Sequence, residues 1–397
     1  MNRLVGTMSL GIRCPIIRTG DDLSTIVTNS VLEAVKSIGL TIENRDVIAI
    51  TESIVARADG NYANINDIAQ DIKDKYHEKT IGVILPILSR NRFSVCLKGI
   101  ARGTKKIVLM LSYPSDEVGN ELISIDKIDE KNINPYSDVL TLDEYRRLFG
   151  ENKHQFTGVD YVTYYKKIIE NENCECEVIF ANNPKTILNY TKNVLTCDIH
   201  TRFRTKKVLK DNGAELVYGL DDILNTSING SGYNFKYGLL GSNKSSEDTI
   251  KLFPNDSKNL VDTIQKNIKL LTGKNVEVMV YGDGAFKDPQ GKIWELADPV
   301  VSPAYTDGLK GTPNELKLKY LADNDFKELS GEQLRSAIEK SIKEKNIDLK
   351  GNMVSEGTTP RQITDLLGSL SDLTSGSGDK GTPIILIKGY FDNYADD

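Results

Sequence analysis

The sequence predicts an α/β protein with an α+β tendency, built on a mixed sheet flanked by helices. Two observations carry that prediction. Between Asp21 and Gly39 the apolar residues Leu23, Ile26, Val27, Val31, Leu32, Val35 and Ile38 recur at helical spacing, and the β-branched run Asp46-Val-Ile-Ala-Ile-Thr follows. A helix leading into a short buried strand is the unit of an α/β layer. The alternation then returns: Ile81 to Leu85 reads as a strand, Pro86 to Ala101 as a helix whose first turn suits proline, and Lys106 to Tyr113 as another strand.

Taken in order, the stretch from Lys131 to Tyr165 is aromatic-rich and carries Pro135, Gly150 and Gly158, which reads as helix and loop covering a site or an interface. Ser257 to Leu271 is periodic as a helix, Gly273 closes it, and Val276 to Tyr281 is a strand running into Gly282-Asp283-Gly284. Asp283 is thereby set at a strand's carboxyl end, where open α/β sheets gather ligands. Leu329 to Lys345 reads as a charged amphipathic helix, and Pro383 to Gly389 as a closing hydrophobic strand.

A chain of 397 residues is long enough for two or three domains. We expect an N-terminal α/β segment over 1–125, an inserted helix- and loop-rich region over 126–236, and a C-terminal α/β segment over 237–397. Fifty basic against 56 acidic residues give a net charge of -6, which argues against nucleic acid or an anionic membrane as partner. The apolar runs, such as Ile81 to Leu88, fall far short of the roughly 20 residues of a membrane-spanning helix. The five cysteines are scattered, and Cys174 and Cys176 are spaced C-x-C without a second pair. Together with an opening that lacks an export signal, this points to a reducing cytoplasm.

Chemistry concentrates between Tyr281 and Pro299, where Asp283, Asp288, Glu295 and Asp298 stand among Lys287 and Lys292. Hard divalent cations take carboxylates together with nucleotide phosphates, so the segment suits a metal–nucleotide site, with Asp283, Asp288 and Asp298 as ligands and Asp283 and Lys287 as catalytic candidates. A glycine-rich hairpin whose aspartates make turns is the alternative. Thr374-Ser-Gly-Ser-Gly-Asp-Lys-Gly-Thr-Pro is a loop in which Gly376, Gly378 and Lys380 could receive phosphate, although its spacing is not that of a Walker A loop. Ser89-Arg-Asn-Arg offers Arg90 and Arg92, and Cys197-Asp-Ile-His-Thr-Arg offers His200 and Arg202, as groups for an anionic substrate. H-E-x-x-H and G-x-S-x-G patterns are missing, which argues against a zinc hydrolase and a serine hydrolase.

The run Thr19-Gly-Asp-Asp-Leu, the helix to Gly39 and the stretch Leu40 to Gly60 together resemble the opening of the coenzyme F-420 γ-glutamyl ligase family. Gly238 to Pro254 with Ser242-Asn243, the strand ending at Asp283, and Gly381-Thr-Pro-Ile-Ile-Leu-Ile-Lys-Gly agree in the same order, while Lys105 to Lys236 makes this a longer relative. The resemblance implies that family's α/β fold, a homodimer, GTP with Mg or Mn, and transfer of L-glutamate to a small carboxylate through an acyl phosphate. It also implies nucleotide binding at Ser242 and Asn243 and metal binding at Asp283. Two positions depart: Leu240 and Gly241 stand where the family has an acidic residue, and Ser377 stands for its glutamate, with Asp379 two residues on. Either the metal shell is rebuilt from Asp288, Asp298 or Asp379, or the chain is a non-ligating nucleotide- or metabolite-binding protein or a ligase for another acceptor.

Overall fold

The computed structural model describes residues 4–287, 294–355, 361–375 and 378–396. The chain opens with β1 (Met8–Ile12), α1 (Leu23–Ser37), β2 (Val47–Thr51), α2 (Glu52–Ala58), β3 (Tyr62–Asn64), α3 (Ile65–Tyr76), β4 (Ile81–Ile84), α4 (Phe93–Arg102) and β5 (Lys106–Leu111). Then come α5 (Ile125–Glu130), β6 (Leu140–Thr141), α6 (Leu142–Phe149), α7 (Tyr161–Asn171), β7 (Glu175–Phe180), β8 (Asn193–Thr196), α8 (Arg202–Asp211) and β9 (Leu216–Gly219). The remainder supplies β10 (Asn243–Lys244), β11 (Thr249–Lys251), α9 (Ser257–Thr272), β12 (Glu277–Tyr281), β13 (Phe286–Lys287), β14 (Trp294–Glu295), β15 (Ala304–Tyr305), α10 (Leu318–Asp323), α11 (Gly331–Glu344), α12 (Ile363–Thr374) and β16 (Ile384–Lys388).

Helix ends fall where the local chemistry puts them. The Asp22 side chain accepts from the Thr25 N–H to cap α1, Asn64 and Asp67 form a capping box on α3, and Gly273 ends α9 at φ 73°. The helix expected from Pro86 to Ala101 is shorter, beginning only at Phe93. The backbone from 87 to 89 finds tertiary partners instead of helical ones. The Tyr165 hydroxyl accepts from the Ser89 N–H and donates to the Ile87 carbonyl, while Asp116 accepts from the Leu88 N–H. The Ser89 hydroxyl then accepts from the N–H groups of Asn91 and Arg92.

One sheet has the order β1-β16-β2-β12-β15 and is mixed: β2 and β12 are parallel and their other neighbours antiparallel. Val27, Val31, Val261, Ile264 and Ile268 of α1 and α9 pack on one face, and Leu367 of α12 with Leu309 on the other. The second sheet has the order β6-β7-β5-β4-β8-β9, parallel except for β6. Its five parallel strands, taken in chain order, lie as 3-2-1-4-5, the doubly wound arrangement, with the direction of winding reversing between β4 and β8. Residues 126–236 thus supply β6 to β9 to a sheet begun by β4 and β5, which runs across the boundary expected at residue 125. No helix among the described residues is long and apolar enough to cross a membrane.

Candidate active site

In the mixed sheet, β2 and β12 run parallel in the register Thr51 to Tyr281, so both deliver their next residues to one end. Glu52 follows β2 directly, and Asp283 follows β12 by one glycine. The loop entering β16 reaches the same end, because Ile384 pairs antiparallel with Ile50. Arg92 arrives from the other sheet, on the clamped loop between β4 and α4.

The Arg92 guanidinium joins two carboxylates, donating from Nη1 to Asp298 Oδ1 at 2.6 Å and from Nη2 to Asp283 Oδ2 at 2.8 Å. Asp298 is fully buried, and its other oxygen accepts from the Asp283 N–H at 2.7 Å. Close approach is possible because residue 282 is glycine: a Cβ there would lie 2.2 Å from Asp298 Oδ2. Gly284 has a similar reason, since its Cβ would meet the Ser369 Cα at 2.9 Å and Asp372 Oδ2 at 3.1 Å. Asp372 and Ser369 of α12 instead accept from the N–H groups of Gly284 and Ala285, each at 3.0 Å. The Tyr-Gly-Asp-Gly run is therefore a backbone threaded between carboxylates.

A second pair lies within electrostatic reach of Arg92. Lys251 Nζ is 3.8 Å from Glu52 Oε2 and donates to Ser53 Oγ at 2.5 Å, and Glu52 Oε2 is buried without a hydrogen-bond partner. Four carboxylates (Glu52, Asp283, Asp298 and Asp372) thus share one neighbourhood with two cations. Burial, and then the charge of Asp298, push Asp283 up to about 7, against the pull of Arg92. Burial likewise raises Glu52 to about 7, opposed by Lys251. Burial also lowers Lys251 and raises Asp372. For Arg92, burial alone would favour loss of the proton, but Asp298, Asp283 and Glu52 outweigh it and the guanidinium stays charged.

Among the described residues no group of three or more His, Cys, Asp or Glu side chains is arranged to hold a metal ion. The donor set fits a cation only in a looser sense. Asp283 is a partly exposed carboxylate in a cluster with two acids more than bases, and Mg²⁺ commonly takes one or two carboxylates with nucleotide phosphates completing the shell. Asp298 is differently committed, both oxygens being engaged by Arg92 and by the Asp283 N–H.

The other expected residues divide. Asn243 pairs with Lys251 across β10 and β11, and Ser242 is buried with its hydroxyl 3.5 Å from Cys96 Sγ, which puts both beside the cluster. His200 Nε2 lies 2.7 Å from the Leu296 carbonyl, two residues before Asp298. Arg90 is exposed, within electrostatic reach of His154 and Tyr161. Arg202 turns inward, donating to Asp221 at 3.3 Å and to the Ile199 carbonyl. Gly378 and Lys380 are exposed, and the Lys380 carbonyl accepts from Arg13 Nε at 3.2 Å. Lys287 belongs to β13 by its backbone, while its side chain, with Asp288, Gly376 and Ser377, lies outside the described residues. Leu240 is a core residue, and Gly241 sits at φ 72°, where a Cβ would strike Phe253 and Pro299.

Glu52, Lys251 and Asp372 escaped the reading of the sequence. Glu52 carried a usable signal, a charged residue immediately after a buried strand. Lys251 and Asp372 carried none, since each reaches the cluster only through tertiary packing.

No curated protein matches the chain. The family model for F-420-0:gamma-glutamyl ligase matches residues 11–389, which takes in both sheets apart from the start of β1, and every residue of the cluster. The chain belongs to the F-420-0:gamma-glutamyl ligase family, and so to a family of ligases.

Proposed function

We propose that the chain is a GTP-dependent amide ligase that adds L-glutamate, through a γ-glutamyl linkage, to a small carboxylate acceptor such as a coenzyme F-420 precursor. The observation that carries this reading is the Asp283–Arg92–Asp298 cluster at the shared end of β2 and β12, within the span of the family match. An acceptor carboxylate oxygen attacks the γ-phosphorus and GDP leaves. The glutamate amine then attacks the acyl carbon, phosphate departs, and the nitrogen gives up a proton.

In that scheme Arg92 supplies fixed positive charge where anionic groups converge, and Asp298 orients Arg92 together with the Asp283 backbone. A divalent ion, Mg or Mn, would be held at Asp283 and neutralise phosphate oxygens. Ser242, Asn243 and the loop carrying Gly378 and Lys380 would face the nucleotide from either side. A homodimer in the cytoplasm completes the proposal. Reduced cysteines suit that setting, and all five are free.

Asp283→Asn keeps the shape and removes the charge. With a turnover assay on glutamate, GTP and an F-420 precursor, the rate should fall by orders of magnitude while the fold, followed by circular dichroism, survives. Unchanged turnover would refute this placement of the site. One observation favours a second reading, a binding protein that no longer ligates: Leu240, where the family resemblance implies an acidic residue, is sealed in the core. Thermal stabilisation by GTP and metal with no product from any acceptor would decide for it.

A further inference from the structure

The doubly wound sheet has a cavity of its own, about 680 Å³ in volume, at the carboxyl ends of its strands. Leu85 follows β4, Ser112 follows β5, Asn182 follows β7 and Asp198 follows β8, and all four line it. This is the crevice where the winding reverses, the usual place for ligands in such sheets. Its walls are fixed: Asn182 accepts from the Tyr113 N–H at 3.0 Å and donates to the carbonyls of Tyr113 and Pro135.

The charge of the lining narrows the ligand. Asp116, Glu117, Asp129 and Asp198 contribute carboxylates, and no lining residue is basic. Asp116 is already satisfied by the N–H groups of Leu88, Val118 and Asn120, and Glu117 accepts from those of Ile199 and His200. Asp198 is not. It is 1% exposed, its Oδ2 accepts from the hydroxyls of Thr201 and Thr205 at 2.7 Å each, and its Oδ1 has no partner. A buried carboxylate oxygen left unmet is costly, and a donor from a ligand removes that cost. Phosphate would meet repulsion here. A metal ion lacks its donor set among the described residues. An ammonium group, with three N–H donors and a positive charge, suits both the orphaned oxygen and the acidic walls.

We propose that this cavity binds a small molecule through a protonated amine seated on Asp198. The site is separate from the Arg92 cluster and does not depend on the ligase reading.

Titration calorimetry of the full-length protein at neutral pH, with putrescine as probe, tests it against 1,4-butanediol, a neutral molecule of the same length, and against inorganic phosphate and MgCl₂. Putrescine should bind at least tenfold more tightly than the diol. Asp198→Asn should weaken it tenfold or more, while Asp262→Asn, an exposed charge on α9, should not. Because Asp198→Asn disturbs two threonine contacts, Ser112→Trp serves as a second variant that fills the cavity and leaves those contacts alone, and it too should abolish binding. Equal binding of the diol, preference for phosphate or magnesium, or putrescine binding that survives Ser112→Trp would each overturn the proposal.

Discussion

Arg92→Met removes the charge at the centre of the cluster while keeping most of the side chain's volume. Two charge-assisted hydrogen bonds are lost, at 2.6 and 2.8 Å, each contributing about 1.5–3 kcal/mol. The two arms differ: the Asp298 side chain is 1% exposed and would be left as a buried unpaired charge, whereas Asp283, at 25%, can draw on water. Weighting the Asp298 arm fully and the Asp283 arm little gives a loss of about 3 kcal/mol near neutral pH. At a typical unfolding entropy of about 2 cal/mol/K per residue, that lowers the melting temperature by about 4 °C if the chain melts as one unit. The assay is differential scanning calorimetry of wild type, Arg92→Met, Asp298→Asn and the double variant. The double variant should be more stable than Arg92→Met alone, because removing the orphaned charge relieves its cost. A double variant whose loss is the sum of the two single losses, or an Arg92→Met protein as stable as wild type, would refute the view that this guanidinium neutralises buried carboxylates.

Glu52 binds its proton more tightly in the folded chain, at about 7 against an ordinary 4.5, so its contribution to stability falls as pH rises between those values. Glu52→Gln should therefore gain on wild type in melting temperature from pH 5 to pH 8, and parallel curves would contradict this. Tyr165→Phe leaves the Ser89 N–H and the Ile87 carbonyl without their clamp. We expect a cost of about 1–3 kcal/mol and, with Arg92 loosened, a fall in kcat/KM larger than stability alone explains, read from urea melts beside kinetics.

The helix and strand units around α1, β2, α9 and β12 were legible because their periodicities are strong and their ends carry caps. Asp283 was legible for a related reason, a buried strand aiming at Gly-Asp-Gly. The start of α4 was not. Nothing local in Pro86 to Arg92 tells that Tyr165 and Asp116, far along the chain, take over its hydrogen bonds. The region after residue 125 looked helix- and loop-rich because Lys131 to Tyr165 is aromatic-rich and carries Pro135, Gly150 and Gly158, and in β7 only the final three residues are buried. Within the site, Arg92 was noticed for its charge, yet its partners could be known only from the meeting of two sheets.

Gly282 follows a regular strand and has no left-handed backbone to explain it; its hydrogen is there because Asp298 needs the room. Positions 282 and 298 are thus sterically a single choice. In relatives that keep the buried carboxylate, residue 282 should never acquire a side chain, whereas a lineage that has lost the acid is free to accept alanine or serine there. The two columns should change together across the family, and Arg92, left with one acid instead of two, should be the third to drift.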